Sequence, residues 1–185
     1  MQFVRFEKVK DGHYLKNYEI TYLNKMGREK KYEIVSRKEI HSVEDLGKSV
    51  NGVSLAVTKD DKLLLLKEFR MGVNCSIYNL VAEMIEESES IEECIARELY
   101  EETGLKVKKI KKILPPSFAA VAISDTLTQI VFIEAEGEFE DHTSENEMIE
   151  AGLYSREEIK KMLETEQFSS RAQVIAYFYA YQPEF

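Results

Sequence analysis

The sequence is poor in the residues that cross-link or stiffen a small protein. Its 185 residues hold two cysteines, three prolines, three histidines and no tryptophan. Cys75 and Cys94 show neither metal-ligand spacing nor a disulfide framework, so both are read as reduced thiols, buried or half-buried. The few His and Cys residues form no zinc-type cluster. No apolar stretch approaches the roughly 20 residues of a membrane helix; "LLLL" at 63–66 is far shorter. "MQFVRFEKVK" at the start carries charge throughout and lacks the apolar core of a secretory signal, which points to a cytoplasmic protein. Positive charge is also short: 25 Lys and Arg stand against 34 Asp and Glu, a net charge of −9. That balance argues against a partner such as a nucleic-acid backbone, which calls for a basic surface. It leaves nucleotide ligands open, because metal ions can bridge acidic side chains and phosphates.

What is present suits one sizeable globular domain: 44% hydrophobic and 32% charged residues, enough chain for a real core. Residues 1–45 read as antiparallel strands. "HYLKNYEITYL" is rich in Tyr, Ile and Thr, and "MGREKKYEIVSR" supplies a glycine turn and another strand. Residues 46–185 read as the main domain. "GVSLAVTKDDKLLLLKEFR" holds two apolar runs joined by Lys59-Asp60-Asp61-Lys62, a hairpin signal. "IYNLVAEM", "KVKKIKKIL", "LTQIVFIEAEG" and "MIEAGLYS" add strands, the second with a wet face. Three helices have clear punctuation. Ser90 and Glu93 form a capping box before Ile91–Thr103, with Gly104 beyond its end. A second helix follows Ser155 and a third follows Ser170. Strands first, then a helix between strands, then helices, indicate an α/β or α+β fold with a mixed sheet.

"RELYEETGL", 97–105, crowds Glu98, Glu101 and Glu102 into one turn and a half of helix. At 100° per residue and with Leu99 at zero, Ile95 falls near about −40° and Ile91 near about −80°. Glu102 falls near about −60° and Glu98 near about −100°. The two acids therefore continue the apolar stripe instead of opposing it. Arg97 points the other way, four residues from both Glu93 and Glu101. Carboxylates at i and i+4 on a half-buried edge repel unless a cation neutralises them. Hard Mg²⁺ or Mn²⁺ suits an all-oxygen site. Spacing alone leaves two readings standing, a metal site and a hydrated charged face.

The same stretch resembles the Nudix box, G-x5-E-x7-R-E-U-x-E-E-x-G-U with U apolar. Glu89, Arg97, Glu98, Leu99, Glu101, Glu102, Gly104 and Leu105 match it; Glu83 stands at the leading glycine. "FRMGVNCSIYNLVAEM" resembles the run before the box in ADP-ribose pyrophosphatases, where an aromatic-Arg pair precedes E-L-P-A-G. "SENEMIEAGLYSREEIKKMLETEQFSSRAQVIAYFYAY" resembles that family's acidic loop, last strand and closing helices. The resemblance implies an α/β/α sandwich around a mixed sheet, with the N-terminal strands as an element exchanged or packed across a homodimer. It implies hydrolysis of a nucleoside diphosphate linked to another group. By position, Glu98 and Glu102 would be the main metal ligands and Glu101 a further or water-mediated one. Ala82 would offer its backbone carbonyl, and Arg97 would hold the acids in place. Glu147, or Glu145 beside it, would orient or deprotonate the attacking water. Arg70 would contact phosphate or ribose.

Three departures from the family pattern stand out. Glu83 replaces the box glycine, and if that backbone needs φ > 0 a Cβ costs roughly 1–2 kcal/mol. Asn79 replaces the upstream acid, removing a ligand or substrate contact. "FAAVAISDT" replaces a Pro- and Gly-containing loop, with Thr126 where that loop often has Glu. The chief expectation is a Mg²⁺- or Mn²⁺-dependent pyrophosphohydrolase acting on ADP-ribose or a related nucleoside diphosphate sugar. The alternative is a catalytically impaired nucleotide-binding or regulatory protein on the same fold. The aromatics Phe3, Phe6, Tyr14, Tyr18 and Tyr22 are read as sheet packing, with a base-stacking surface as the other reading.

Overall fold

A computed structural model describes residues 1–140 and 148–182. The elements run β1 (Gln2–Asp11), β2 (Lys16–Leu23), β3 (Glu29–Ser36), β4 (Val50–Lys59), β5 (Lys62–Arg70), β6 (Cys75–Asn79), β7 (Val81–Met84), α1 (Ile91–Thr103), β8 (Lys106–Ile113), β9 (Ser117–Phe118), β10 (Leu127–Glu136), β11 (Ile149–Tyr154), α2 (Arg156–Thr165) and α3 (Ser170–Tyr181). The chain divides into two compact units: residues 1–51 with 116–128, and residues 52–115 with 129–185. No helix among the described residues is long and apolar enough to cross a membrane.

In the first unit β1, β2 and β3 form an antiparallel sheet in that order. Asn24 closes the β2–β3 turn: its Oδ1 accepts from the Met26 and Arg28 amides at 2.8 and 3.1 Å. Gly27 follows at φ 71°, where a side chain would be strained. Tyr18, Ile20, Ile34 and Ile40 form the core. Phe6 stacks on Tyr18 at 4.9 Å, and the Tyr18 hydroxyl accepts from the Ile40 amide at 2.8 Å.

The second unit is a helix–sheet–helix sandwich, and the leucine run shows why. Leu64 and Leu66 belong to the core that holds Ile95 and Leu99 of α1. Leu63 and Leu65 belong to the opposite core, with Ile159 of α2 and Ile175 and Tyr179 of α3. A strand covered on both faces has no polar positions to alternate with. The strand order is β11-β5-β4-β10-β8, with β6 on β5 and β7 on β4. The β4–β5 hairpin turns through Asp60 and Asp61 at φ 49° and 55°, the left-handed pair that matches strand twist.

Several local expectations change. "IYNLVAEM" is two strands, β6 on β5 and β7 on β4, because the chain switches partner at Leu80. In β8 the apolar residues recur every third position, as Val107, Ile110 and Ile113. Two register shifts against β10 absorb Lys108 and Lys111, so all three apolar side chains still reach the core. The third helix is capped by Ser169, not Ser170; its oxygen accepts from the Ala172 amide at 3.3 Å. Cys94 is buried, but Cys75 is exposed.

Candidate active site

The α1 helix has a cap at each end. The Ser90 oxygen accepts from the Glu93 amide at 3.2 Å, and the Glu93 carboxylate accepts from the Ser90 amide at 2.9 Å. Gly104 ends the helix at φ 74°, its amide donating to the Tyr100 carbonyl at 2.7 Å. Between these caps Ile95 and Leu99 are fully buried, and Glu98 beside them is only 3% exposed. Glu102, one turn on, is half-buried with one carboxylate oxygen closed off from solvent. Glu101 faces outward. The helical angles thus locate the acids on the packed flank, as the spacing indicated.

Arg97 does not reach Glu93, whose carboxylate is committed to the cap. It turns instead onto Glu89, donating from Nε and Nη2 to the two carboxylate oxygens at 2.7 and 2.8 Å. Nη1 meets Glu98 Oε1 and reaches Glu101 Oε2 at 3.3 Å. One guanidinium thereby serves three carboxylates. Glu89 is further anchored by the Glu86 amide at 2.9 Å.

The acids respond in opposite directions. Hydrogen bonding from Arg97 first, then from the Glu86 amide, lowers the Glu89 pKa to about 2. Burial first raises Glu98 to about 7, opposed by Arg97 and reinforced by the charge of Glu83. Desolvation and Glu89 likewise push the Cys94 thiol up to about 12, an inert core thiol.

Glu83 lies in β7, opposite Val53 of β4, and is not among the residues with positive φ. The strain considered for a Cβ at this box position is therefore absent. The tight glycine is on the neighbouring strand: a Cβ on Gly52 would lie 2.2 Å from the Glu83 carbonyl oxygen. Ala82 precedes it, half-buried and paired with Ser54. The Glu83 carboxylate accepts from the Met84 amide at 2.8 Å.

Chemically the donors fit a hard divalent cation. They are all oxygen, they carry more negative charge than Arg97 offsets, and one is buried where its charge is held at a cost. Among the described residues, no three His, Cys, Asp or Glu side chains already form a metal-holding group; Arg97 engages Glu98 and Glu101 instead.

Arg70 ends β5 with an exposed side chain and donates from Nη1 to Glu68 Oε2 at 3.2 Å. Asn79 on β6 donates to the other Glu68 oxygen at 2.6 Å. The Ser169 hydroxyl donates to Asn79 Oδ1, also at 2.6 Å. Sequence reading missed Glu68. Its only local signal is the i, i+2 relation to Arg70, which puts both on one face of a strand. Glu145 and Glu147 lie outside the described residues. Of the N-terminal aromatics, Tyr18 is wholly buried under Phe6, while Phe3 and Tyr14 are exposed. Tyr22, Tyr32 and Phe118 line a cleft of about 360 Å³ within the first unit.

Residues 48–178 match the NUDIX domain. The ADP-ribose pyrophosphatase of Bacillus subtilis (strain 168) is 29% identical over 113 residues, 60% of this chain and 60% of that protein. The ADP-ribose pyrophosphatase of Escherichia coli (strain K12) is 30% identical over 125 residues, 63% of this chain and 59% of that protein. The NAD-capped RNA hydrolase NudC of Photobacterium profundum is 41% identical over 59 residues, 32% of this chain and 21% of that protein. The chain thus spans between 21% and 60% of the length of these relatives. A crystal structure of an ADP compounds hydrolase superposes with a TM-score of 0.69 at 21% identity, over 96% of this chain and 90% of that one, a likeness of fold.

Proposed function

The chain belongs to the NUDIX family, and from that premise we propose that it hydrolyses the pyrophosphate bond of ADP-ribose or a related nucleoside diphosphate sugar, with Mg²⁺ or Mn²⁺. Water's oxygen forms a bond to one phosphorus and the bridging P–O bond breaks. The products are a nucleoside monophosphate and a sugar phosphate. One observation carries this reading: a single arginine on α1 faces three carboxylates, and the most deeply buried of them has its pKa raised to about 7. Such a surplus of negative charge at a packed helix flank calls for a cation.

Glu98 and Glu102 are the principal candidates to hold that cation, with Glu101 a further or water-mediated donor and Ala82 contributing its carbonyl. Once bound, a divalent ion offsets the diphosphate charge, polarises phosphorus and acidifies water. Arg97 fixes the acids relative to one another through Glu89, which stays ionised. Glu147, or Glu145, accepts the proton of the attacking water. Arg70 meets phosphate or ribose oxygens. The N-terminal strands serve as a dimerisation element, a reading supported by the exposure of Phe3, Val4 and Val9 on β1; sedimentation of a chain lacking residues 1–45 tests it.

The decisive test is phosphate release from a panel of nucleoside diphosphate sugars, coupled to a phosphatase, with Mg²⁺ and with Mn²⁺. Turnover lost in Glu102→Gln supports the reading. A second reading, a nucleotide-binding protein without turnover, draws on Glu83, whose added charge repels that of Glu98. Ligand binding with no hydrolysis of any panel member would establish it instead.

A further inference from the structure

The alternation that sends Leu64 and Leu66 toward α1 continues along β5 to Glu68 and Arg70. Asn79 lies opposite Leu66, so it joins them on that sheet face. Glu68 is 8% exposed, a buried acid on the α1 side of the sheet. Its two oxygens are divided between the Asn79 amide at 2.6 Å and the Arg70 guanidinium at 3.2 Å. Asn79 is itself pinned. Ser169 donates to its Oδ1, and backbone bonds flank it: the Tyr78 amide to the Gln167 carbonyl at 2.7 Å, and the Ser169 amide to the Tyr78 carbonyl at 2.9 Å. A relay of hydrogen bonds thus runs from the α3 cap to the tip of an exposed arginine. Among the described residues only Nη1 of that arginine donates, to Glu68, which leaves the other guanidinium N–H groups for an anion.

We propose that Glu68, held by Asn79 and Ser169, is the positioning residue for Arg70, fixing the guanidinium so that it meets the phosphate or ribose oxygens of the nucleoside diphosphate substrate. The inference rests on the function proposed above. It also explains the amide at position 79. The ADP-ribose pyrophosphatase run that this stretch resembles has an acid there; this chain has an acid one strand away, at Glu68, which the Asn79 amide holds toward the arginine. A long exposed side chain that is already oriented loses less freedom when substrate binds.

The test is a double-mutant cycle read in two ways, by KM for ADP-ribose with Mg²⁺ and by calorimetric affinity for ADP-ribose in EDTA. Arg70→Ala is expected to weaken both about tenfold. Glu68→Gln is expected to weaken both by roughly threefold to tenfold, with a smaller effect on kcat. In Glu68→Gln/Arg70→Ala the loss should equal that of Arg70→Ala alone. Glu68→Gln/Asn79→Asp, which returns a carboxylate to the neighbouring strand, should recover most of it. A merely structural Glu68 would lower the melting temperature without moving KM or affinity, and that result overturns the proposal. Losses that multiply in the double variant, or an Arg70→Ala protein that binds normally, overturn it as well. If the wild type binds ADP-ribose without cleaving it, the hydrolytic reading fails while the affinity arm still decides the role of Glu68. If it neither binds nor cleaves any panel member, both readings fall.

Discussion

Arg97 and Arg70 each meet a buried carboxylate, but in opposite proportions. Arg97 is largely enclosed and serves Glu89, Glu98 and Glu101; Arg70 is mostly exposed and serves Glu68. The first cluster is left negative and the second balanced, with donors to spare. The first keeps negative charge for a cation to offset, while the second offers an anion guanidinium donors and no net charge. Both stand on the same face of one sheet.

The sharpest way to break this contrast is to remove the carboxylate one turn beyond Glu98 on the helix that carries the first cluster. Glu102→Gln is expected to lower kcat for ADP-ribose by at least about 10²-fold, measured by coupled phosphate release. Loss of Arg70 should instead appear mainly in KM. Stability offers the next contrast. Arg97→Ala leaves Glu98 buried without its guanidinium and should destabilise the protein by about 3–5 kcal/mol in urea melts. Arg70→Ala removes only the exposed partner of Glu68, which keeps its Asn79 hydrogen bond, and should cost less, on the order of 1–2 kcal/mol. Equal losses from the two would erase the distinction.

Acidity separates Glu98 from Glu89 although both touch Arg97. The folded-state pKa of Glu98 lies above its ordinary value of 4.5, at about 7. Its contribution to stability is therefore complete below pH 4.5 and lost as pH rises through about 7. Glu89, lowered to about 2, contributes above its ordinary value and loses that contribution as pH falls toward 2. In EDTA, stability should fall between about pH 5 and 8 by on the order of 1–3 kcal/mol. Glu98→Gln should flatten that slope, and a persisting slope would assign it elsewhere. The smallest effect expected is from Glu83→Gln. Removing one repelling charge should lower the Glu98 pKa, followed by carboxyl NMR, with little change in melting temperature.

The first cluster was legible in the sequence; of the second, Arg70 and Asn79 stood out only through the family resemblance, and Glu68 not at all. Helical periodicity and the capping box are local, so Ile91–Thr103 and the packed flank carrying Glu98 follow from residues within four positions of one another. The Asp60-Asp61 turn is local for the same reason. Glu68 depends on a strand register and on a cap a hundred residues further along the chain, information that no window holds. Glu83 shows the reverse case: the family glycine raised the condition of a positive φ, and extended strand geometry does not impose it there. β8 defeated alternation because two extra residues reset its phase.

Those resets in β8 have a consequence for how the protein behaves when crowded. At the end of the strand order, its lysines 108, 109, 111 and 112 line a kinked ladder, with Lys108 and Lys111 bent back to Glu134 and Thr58. A second molecule adding a strand there would have to copy the kinks and bring four ammonium groups together. Cross-β growth from that border is thereby discouraged, and an acidic protein keeps its most cationic segment as a guard against fibrils.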